Sequence, residues 1–292
     1  MLPARSAPCT TRCRAGKPIW RPTPLPVHPN QVPAAIKHMT IKSLISAGVV
    51  ALGLLSAVHA QASVVIAGTR VIYRAQETEA TIKLTNEGKI PALTQVWIDK
   101  GDPKAAPAAI EVPFTVTPPV SRIDPGKGQT LRILYTGEPL AQDRESVFWL
   151  NVLEIPPKPS AEDAETNKLQ LAFRSRIKLF FRPAGLKGTA EEAPGMIRWR
   201  VVHAGGKPAL EGSNPSAYHV SFAKIELVGG GKTASFDDGG MIAPGETRSF
   251  PLTGEVAQGP DARVRFNTIN DYGGAARGEA ALGSANAQAV SR

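Results

Sequence analysis

From Ser63 onward, apolar and polar residues alternate in short runs bounded by Pro, Gly and Asn. This is the period-2 pattern of strands with two unlike faces. Ser63–Tyr73, Glu79–Thr85, Leu93–Asp99, Pro113–Thr117, Gln129–Tyr135, Ser146–Ile155 and Leu169–Phe181 are seven expected strands, with Trp97, Phe148 and Trp149 as bulk for a core. Pro183–Gly188 reads as a linker. A second set follows it: Ile197–His203, Tyr218–Val228, Lys232–Phe236, Thr247–Leu252 and Arg263–Ile269. Helical periodicity is absent beyond a turn or so. The pattern predicts an all-β chain with two sandwich domains, 63–182 and 191–275, joined by a linker at 183–190. The Ala/Gly-rich end, 276–292, is expected to be mobile, and the polar, acidic loop Lys158–Lys168 flexible.

The run Leu169–Pro183 changes character midway. Leu169, Leu171 and Phe173 alternate with Gln170, Ala172 and Arg174, whereas Ile177–Phe181 is dense in apolar residues and stops at Pro183. Such a strand meets a partner first and its own core afterwards. Lys178 stands in the apolar half, where an unpaired ammonium is costly, so something should neutralise it. The plainer alternative is a core strand with a snorkelling lysine.

The beginning of the chain has another purpose. Residues 1–38 carry six prolines between Pro18 and Pro33 and no acid, which fits a start codon assigned too far upstream. Met39–Lys42 opens a basic segment, Ser43–Val58 is apolar, and Ala60-Gln61-Ala62 has the form of a leader cleavage site. The apolar stretch is too short for a membrane span. A secretory signal peptide at 39–62 is expected, with Ser63 as the first mature residue, so no stable membrane insertion is expected. Its removal changes the charge argument. Seven basic residues leave with the leader, so 27 Lys and Arg face 25 Asp and Glu, a balance of +2 instead of +9. Nothing then points to nucleic acid. Cys9 and Cys13 leave as well, which excludes cysteine catalysis and thiolate metal sites from the mature chain.

Candidate chemistry is sparse. Only His203 and His219 remain, without a cysteine or ligand-spaced carboxylates nearby, so surface or core histidines are expected, not a metal site. Gly229-Gly-Gly-Lys232-Thr233 lacks the first glycine of a phosphate loop, because Glu226 stands there. It reads as a hairpin turn. No nucleophile motif has supporting context. Neither an enzyme, a cofactor nor a metal is expected.

Several longer motifs carry a resemblance. Arg144–Asn151 followed by Glu154-Ile-Pro-Pro157, Ile177–Pro183, and Ile269-Asn-Asp-Tyr-Gly-Gly274 closely resemble the periplasmic chaperones of the chaperone–usher pilus pathway, the PapD-like family. Gly68-Thr-Arg70, Pro118–Arg122 with Pro125-Gly126, and Asn214-Pro-Ser-Ala-Tyr218 add to it, in order, over residues 63–275. The resemblance implies two immunoglobulin-like domains set at an angle around a cleft, and a last strand of the first domain that is lent to an incomplete subunit.

The donated side chains would be Leu169, Leu171 and Phe173. Arg70 and Lys178 would anchor the subunit's C-terminal carboxylate, and Glu145, Arg182 and Asp271 match the family's interdomain charged set. The implied partners are pilus or fimbrial subunits and an outer-membrane usher, in the periplasm. Lys178 has the opposite parity from the donor residues, so a bulge or strong twist near Ser175–Ile177 is expected to reconcile them. The short, cysteine-free loop Lys158–Lys168 resembles the family's short-loop branch. The alternative is a structural subunit or adhesin of a surface fibre. Such subunits usually carry a disulfide and an N-terminal donor extension, and this mature chain has neither.

Overall fold

A computed structural model describes residues 63–156 and 171–283 of the chain. The upstream segment 1–38, the signal segment 39–62, the loop Lys158–Lys168 and Leu169 lie outside the described residues.

The first sandwich contains β1 (Val64–Ile66), β2 (Arg70–Arg74), β3 (Ala80–Asn86), β4 (Ala92–Asp99), β5 (Phe114–Thr117), β6 (Val120–Ile123), β7 (Gly128–Tyr135), β8 (Ser146–Ile155) and β9 (Phe173–Arg182). One sheet has the order β1-β3-β7-β5 and the other β2-β9-β8-β4-β6. Two expectations need correction. Ser63–Tyr73 is not one strand: β1 pairs with β3 in one sheet, and after Gly68 the chain crosses to pair β2 in parallel with β9 in the other. Strand β6 was hidden by Pro118 and Pro119, yet prolines are tolerated at the start of an edge strand.

The core is a cluster of rings, with Tyr73, Phe114 and Phe181 in mutual contact and Phe148 4.9 Å from Phe114. Of the three expected core aromatics only Phe148 is buried there. Trp97 and Trp149 face outward, because β4 and β8 alternate and their neighbours Ile98 and Leu150 point to the core.

The second sandwich contains β10 (Arg198–Ala204), β11 (Lys207–Ser213), β12 (Val220–Gly229), β13 (Lys232–Phe236), β14 (Gly240–Ile242), β15 (Thr247–Pro251), β16 (Thr253–Gly254), β17 (Arg263–Ile269) and β18 (Ala275–Ala281). Its sheets are β10-β11-β15 and β16-β13-β12-β17-β18, with β14 also on β12. Trp199, Phe222, Phe250 and Phe266 form the core. The Gly229–Lys232 segment is a two-residue hairpin, with Gly230 and Gly231 at φ +56° and +76°. A primed turn requires positive φ at both positions.

Strand β18 corrects the expectation of a mobile tail from residue 276. Ala275–Ala281 pairs with β17 along its full length. The glycine in it is a packing requirement, since a Cβ on Gly278 would lie 2.2 Å from the Phe266 ring. Residues 284–292 lie outside the described residues.

Candidate functional site

Strand β9 organises the site. Ile177, Leu179 and Phe181 point to the first core, while Arg176, Lys178, Phe180 and Arg182 share the opposite face. The core-facing parity continues upstream to Phe173, where the strand begins, and not at Leu169 as expected. Phe173 and Leu171, two residues before it, are 41% and 55% exposed. The β8–β9 ladder from Ser146↔Phe181 to Glu154↔Phe173 has no register shift. The expected bulge near Ser175–Ile177 is therefore absent. The apolar row and Lys178 occupy opposite faces of one regular strand.

Strand β2 reaches only part of β9. Its first residue, Arg70, lies opposite Lys178, and the pairing then runs to Arg74↔Arg182. Upstream of Lys178, β9 is paired with β8 on one side, and among the described residues no strand lies along the other. Such an edge presents unused backbone donors and acceptors.

Two cations mark the point where that edge begins. Arg70 Nη1 donates to the Ile269 carbonyl at 2.8 Å, and its guanidinium lies 5.7 Å from the Phe180 ring centre, while its buried Nε has no hydrogen-bond partner among the described residues. Lys178 Nζ donates to Ser221 Oγ at 3.3 Å. Among the described residues neither cation has a carboxylate in ion-pair contact. Burial, with the positive charges of Arg70 and Arg248 nearby, pushes the Lys178 ammonium down to about 8. Burial lowers Arg70 as well, partly offset by Asp271 and Glu145. No carboxylate among the described residues neutralises Lys178.

Arg182 is held differently. Its Nε donates to Glu145 Oε1 at 2.7 Å, and Nη1 and Nη2 donate to Asp271 Oδ2 and Oδ1 at 2.6 and 3.0 Å. Burial works against its charge, but Asp271 and Glu145 outweigh this and raise its pKa. Glu145 is also tied to the second sandwich. Its N–H donates to the Ala217 carbonyl at 2.9 Å, and its Oε2 accepts from the His219 N–H at 2.8 Å and contacts His219 Nδ1 at 3.3 Å. The structure thus brings Glu145, Arg182 and Asp271 together.

Two tight turns position this junction. Asn214 Oδ1 accepts from the Ser216 N–H and Nδ2 donates to the Tyr218 carbonyl, shaping the loop that presents Ala217 and His219. Asn270 Oδ1 accepts from the Tyr272 and Gly274 N–H groups. Gly273 there has φ +82°, and a Cβ would lie 2.6 Å from Thr69 Oγ1, so the turn can dock against Thr69 and aim Asp271 at Arg182.

His219 and Ser221 were missed as site residues. Their only signal was the Asn214–Tyr218 motif just before them. A further cation, Arg176, is paired with Asp99, whose carboxyl stays below its ordinary range. Burial would raise it, but hydrogen bonds from Arg176, Asn151 and the Gly101 N–H outweigh that.

Residues 63–187 match the family described as pili and flagellar-assembly chaperone, PapD N-terminal domain, and residues 192–280 match the pili assembly chaperone PapD, C-terminal domain. The chain belongs to the PapD family of pilus-assembly chaperones. Its relatives within the PapD family are named accordingly. It is 49% identical to the probable fimbrial chaperone YadV of Escherichia coli K12, over 76% of this chain and 90% of that protein. A crystal structure of the YadV chaperone aligns with a TM-score of 0.65 and 45% identity, covering 76% of this chain and all of that one. A structure of the Salmonella enterica SafA pilin in complex with the SafB chaperone matches with a TM-score of 0.63 and 29% identity, over 77% of this chain and 98% of the matched one. The protein is a fimbrial chaperone with PapD-like immunoglobulin-type domains. The fibre-subunit alternative finds no support among these relatives.

Proposed function

We propose that this chaperone acts in the periplasm, completes unfinished immunoglobulin-like fibre subunits with β9 and the residues before it, and delivers them to an outer-membrane usher. The observation that carries this reading is the open edge of β9 ending at Arg70 and Lys178. A subunit strand laid beside β9, continuing the row of β2, would bring its C-terminus to the two cations if it ran parallel to β9. Its carboxylate would supply the negative charge that the described chain lacks there. Charge-assisted hydrogen bonds of this kind contribute roughly 1.5–3 kcal/mol each. They also fix the register, and register decides which subunit residue meets which donor side chain.

Leu169, Leu171 and Phe173 are the proposed donor residues. An incomplete sandwich exposes an apolar groove and unpaired edges, and a lent strand covers both. Burying each donor side chain is worth ~1.5–3 kcal/mol before ordering costs. The opposite placement of donors and Lys178 suits the two tasks, since side chains enter the groove from one face while the carboxylate is held from the other. Glu145, Arg182 and Asp271, with His219, are proposed to fix the angle between the domains. The SafA–SafB complex supports pilin binding by a relative of this fold.

Leu171→Glu tests donor-strand action. The side chain is 55% exposed in the free chaperone, so melting should remain near that of the wild type. Capture of a cognate subunit, read by co-purification from periplasm, should be lost, because the carboxylate would enter an apolar groove without a partner. A folded variant that still captures subunits at the wild-type level would overturn the donor assignment.

A further inference from the structure

We propose that Glu154 is the binding site for the α-amino group of Ser63, so that removal of the leader converts an ordinary hydrogen bond into an ion pair that clamps the first strand. This inference rests on the reading that export cleaves the chain after Ala62. Three groups converge on the Glu154 carboxylate. The Ser63 and Val64 N–H groups each donate to Oε2 at 3.1 Å, and the Ser63 hydroxyl donates to Oε1. Ser63 is fixed from the other side as well, because its carbonyl accepts from the Glu87 N–H at 2.7 Å. Gly88 packs so closely that a Cβ there would lie 2.5 Å from Ser63 Cβ. The first residue after the expected cut is therefore held at its nitrogen, hydroxyl and carbonyl.

The chemistry changes with the cut. Hydrolysis adds water across the Ala62–Ser63 peptide bond, leaving a carboxylate on Ala62 and, after proton transfer, an ammonium on Ser63. An amide nitrogen offers one N–H and no charge, whereas an ammonium offers three and a full positive charge. A carboxylate at hydrogen-bond distance favours the charged form and shortens such bonds.

The location gives the clamp its purpose. Strand β1 is an edge of the four-stranded sheet, while Glu154 belongs to β8, inside the five-stranded sheet. Glu154 is in register with Phe173, the first residue of β9. The ion pair thus ties the two sheets together at the end of the sandwich from which the donor segment departs. A correctly processed N-terminus closes that end of the chaperone.

Wild type, Glu154→Gln and a chain with one alanine inserted between Ala62 and Ser63 would be exported from their full-length genes, and their N-termini read by mass spectrometry. Acylation of the terminal amine is then followed against pH. The wild-type amine should titrate above the ordinary value of about 7.7–8.0 and be labelled about three- to tenfold more slowly at neutral pH than in Glu154→Gln. The inserted alanine displaces the amine by about 3.5 Å and should have the same effect, which covers the case where Glu154→Gln does not fold. Cleavage elsewhere in the wild type would overturn the leader reading and the clamp with it. Cleavage before Ser63 with equal labelling in all folded chains would overturn the clamp alone.

Discussion

Lys178 and Arg182 stand four residues apart on one face of one strand, and they have opposite electrostatic surroundings. Arg182 is enclosed by two carboxylates and joins the sandwiches. Lys178 has Arg70 opposite it, a serine hydroxyl at 3.3 Å, and no carboxylate partner among the described residues. Arg176, on the other side of Lys178, is paired with Asp99. The difference separates structure from reception. A buried cation whose partners lie within the chain holds the fold, whereas one without a carboxylate partner among the described residues is proposed to receive a ligand that carries the missing charge.

Removal of Arg182 should have the largest effect. Glu145 has only 2% of its side chain exposed and would become an uncompensated buried charge, so Arg182→Ala should destabilise the chaperone by about 3–5 kcal/mol in calorimetric unfolding. Lys178→Met should do the reverse. It removes a charge that folding desolvates, so melting should hold or rise, while subunit affinity falls about 10- to 100-fold. Equal destabilisation by the two substitutions would erase the distinction between them.

The isolation of Lys178 also sets how it titrates. The ammonium of Lys178 is lowered to about 8 in the free fold from an ordinary value of 10.5, chiefly by burial. The unfolded chain therefore holds more protons between those values, so this group's contribution to stability rises with pH across that window. Capture runs the other way. A bound carboxylate favours the charged lysine, so affinity is full below about pH 8 and weakens above it by up to about tenfold per unit. Titration calorimetry across this range should show the loss in wild type and not in Lys178→Met. The smallest effect is expected at Arg174, which is exposed on the same face, and Arg174→Ala should change stability by less than about 0.5 kcal/mol.

Much of the fold was legible because both sandwiches keep a period-2 pattern with Gly, Pro and Asn at their turns. Apart from β6, which its prolines concealed, two misreadings share a physical cause, because the strands concerned are defined by their neighbours. Ser63–Tyr73 looks continuous, and only the positions of β3 and β9 reveal that it changes sheets. Ala275–Ala281 has almost no apolar bulk and is a strand through its pairing with β17, where the Phe266 ring fills the space above Gly278. In the site, Arg70, Lys178, Glu145, Arg182 and Asp271 stood out through longer motifs. His219 did not, because its contact with Glu145 depends on how the second domain's loop meets the first. The parity of Lys178 looked like a defect in the sequence, yet β9 is regular, with its apolar row on one face and the cation on the other.

The open edge of β9 is proposed to end in a receptor for a chain-terminal carboxylate. Titration calorimetry of the free chaperone with a peptide copying the last strand of a cognate subunit tests it most directly, using the peptide once with a free C-terminus and once amidated. The free acid should bind at least about tenfold more tightly, and the advantage should disappear in Lys178→Met. Equal affinity of acid and amide for the wild-type chaperone would contradict the account.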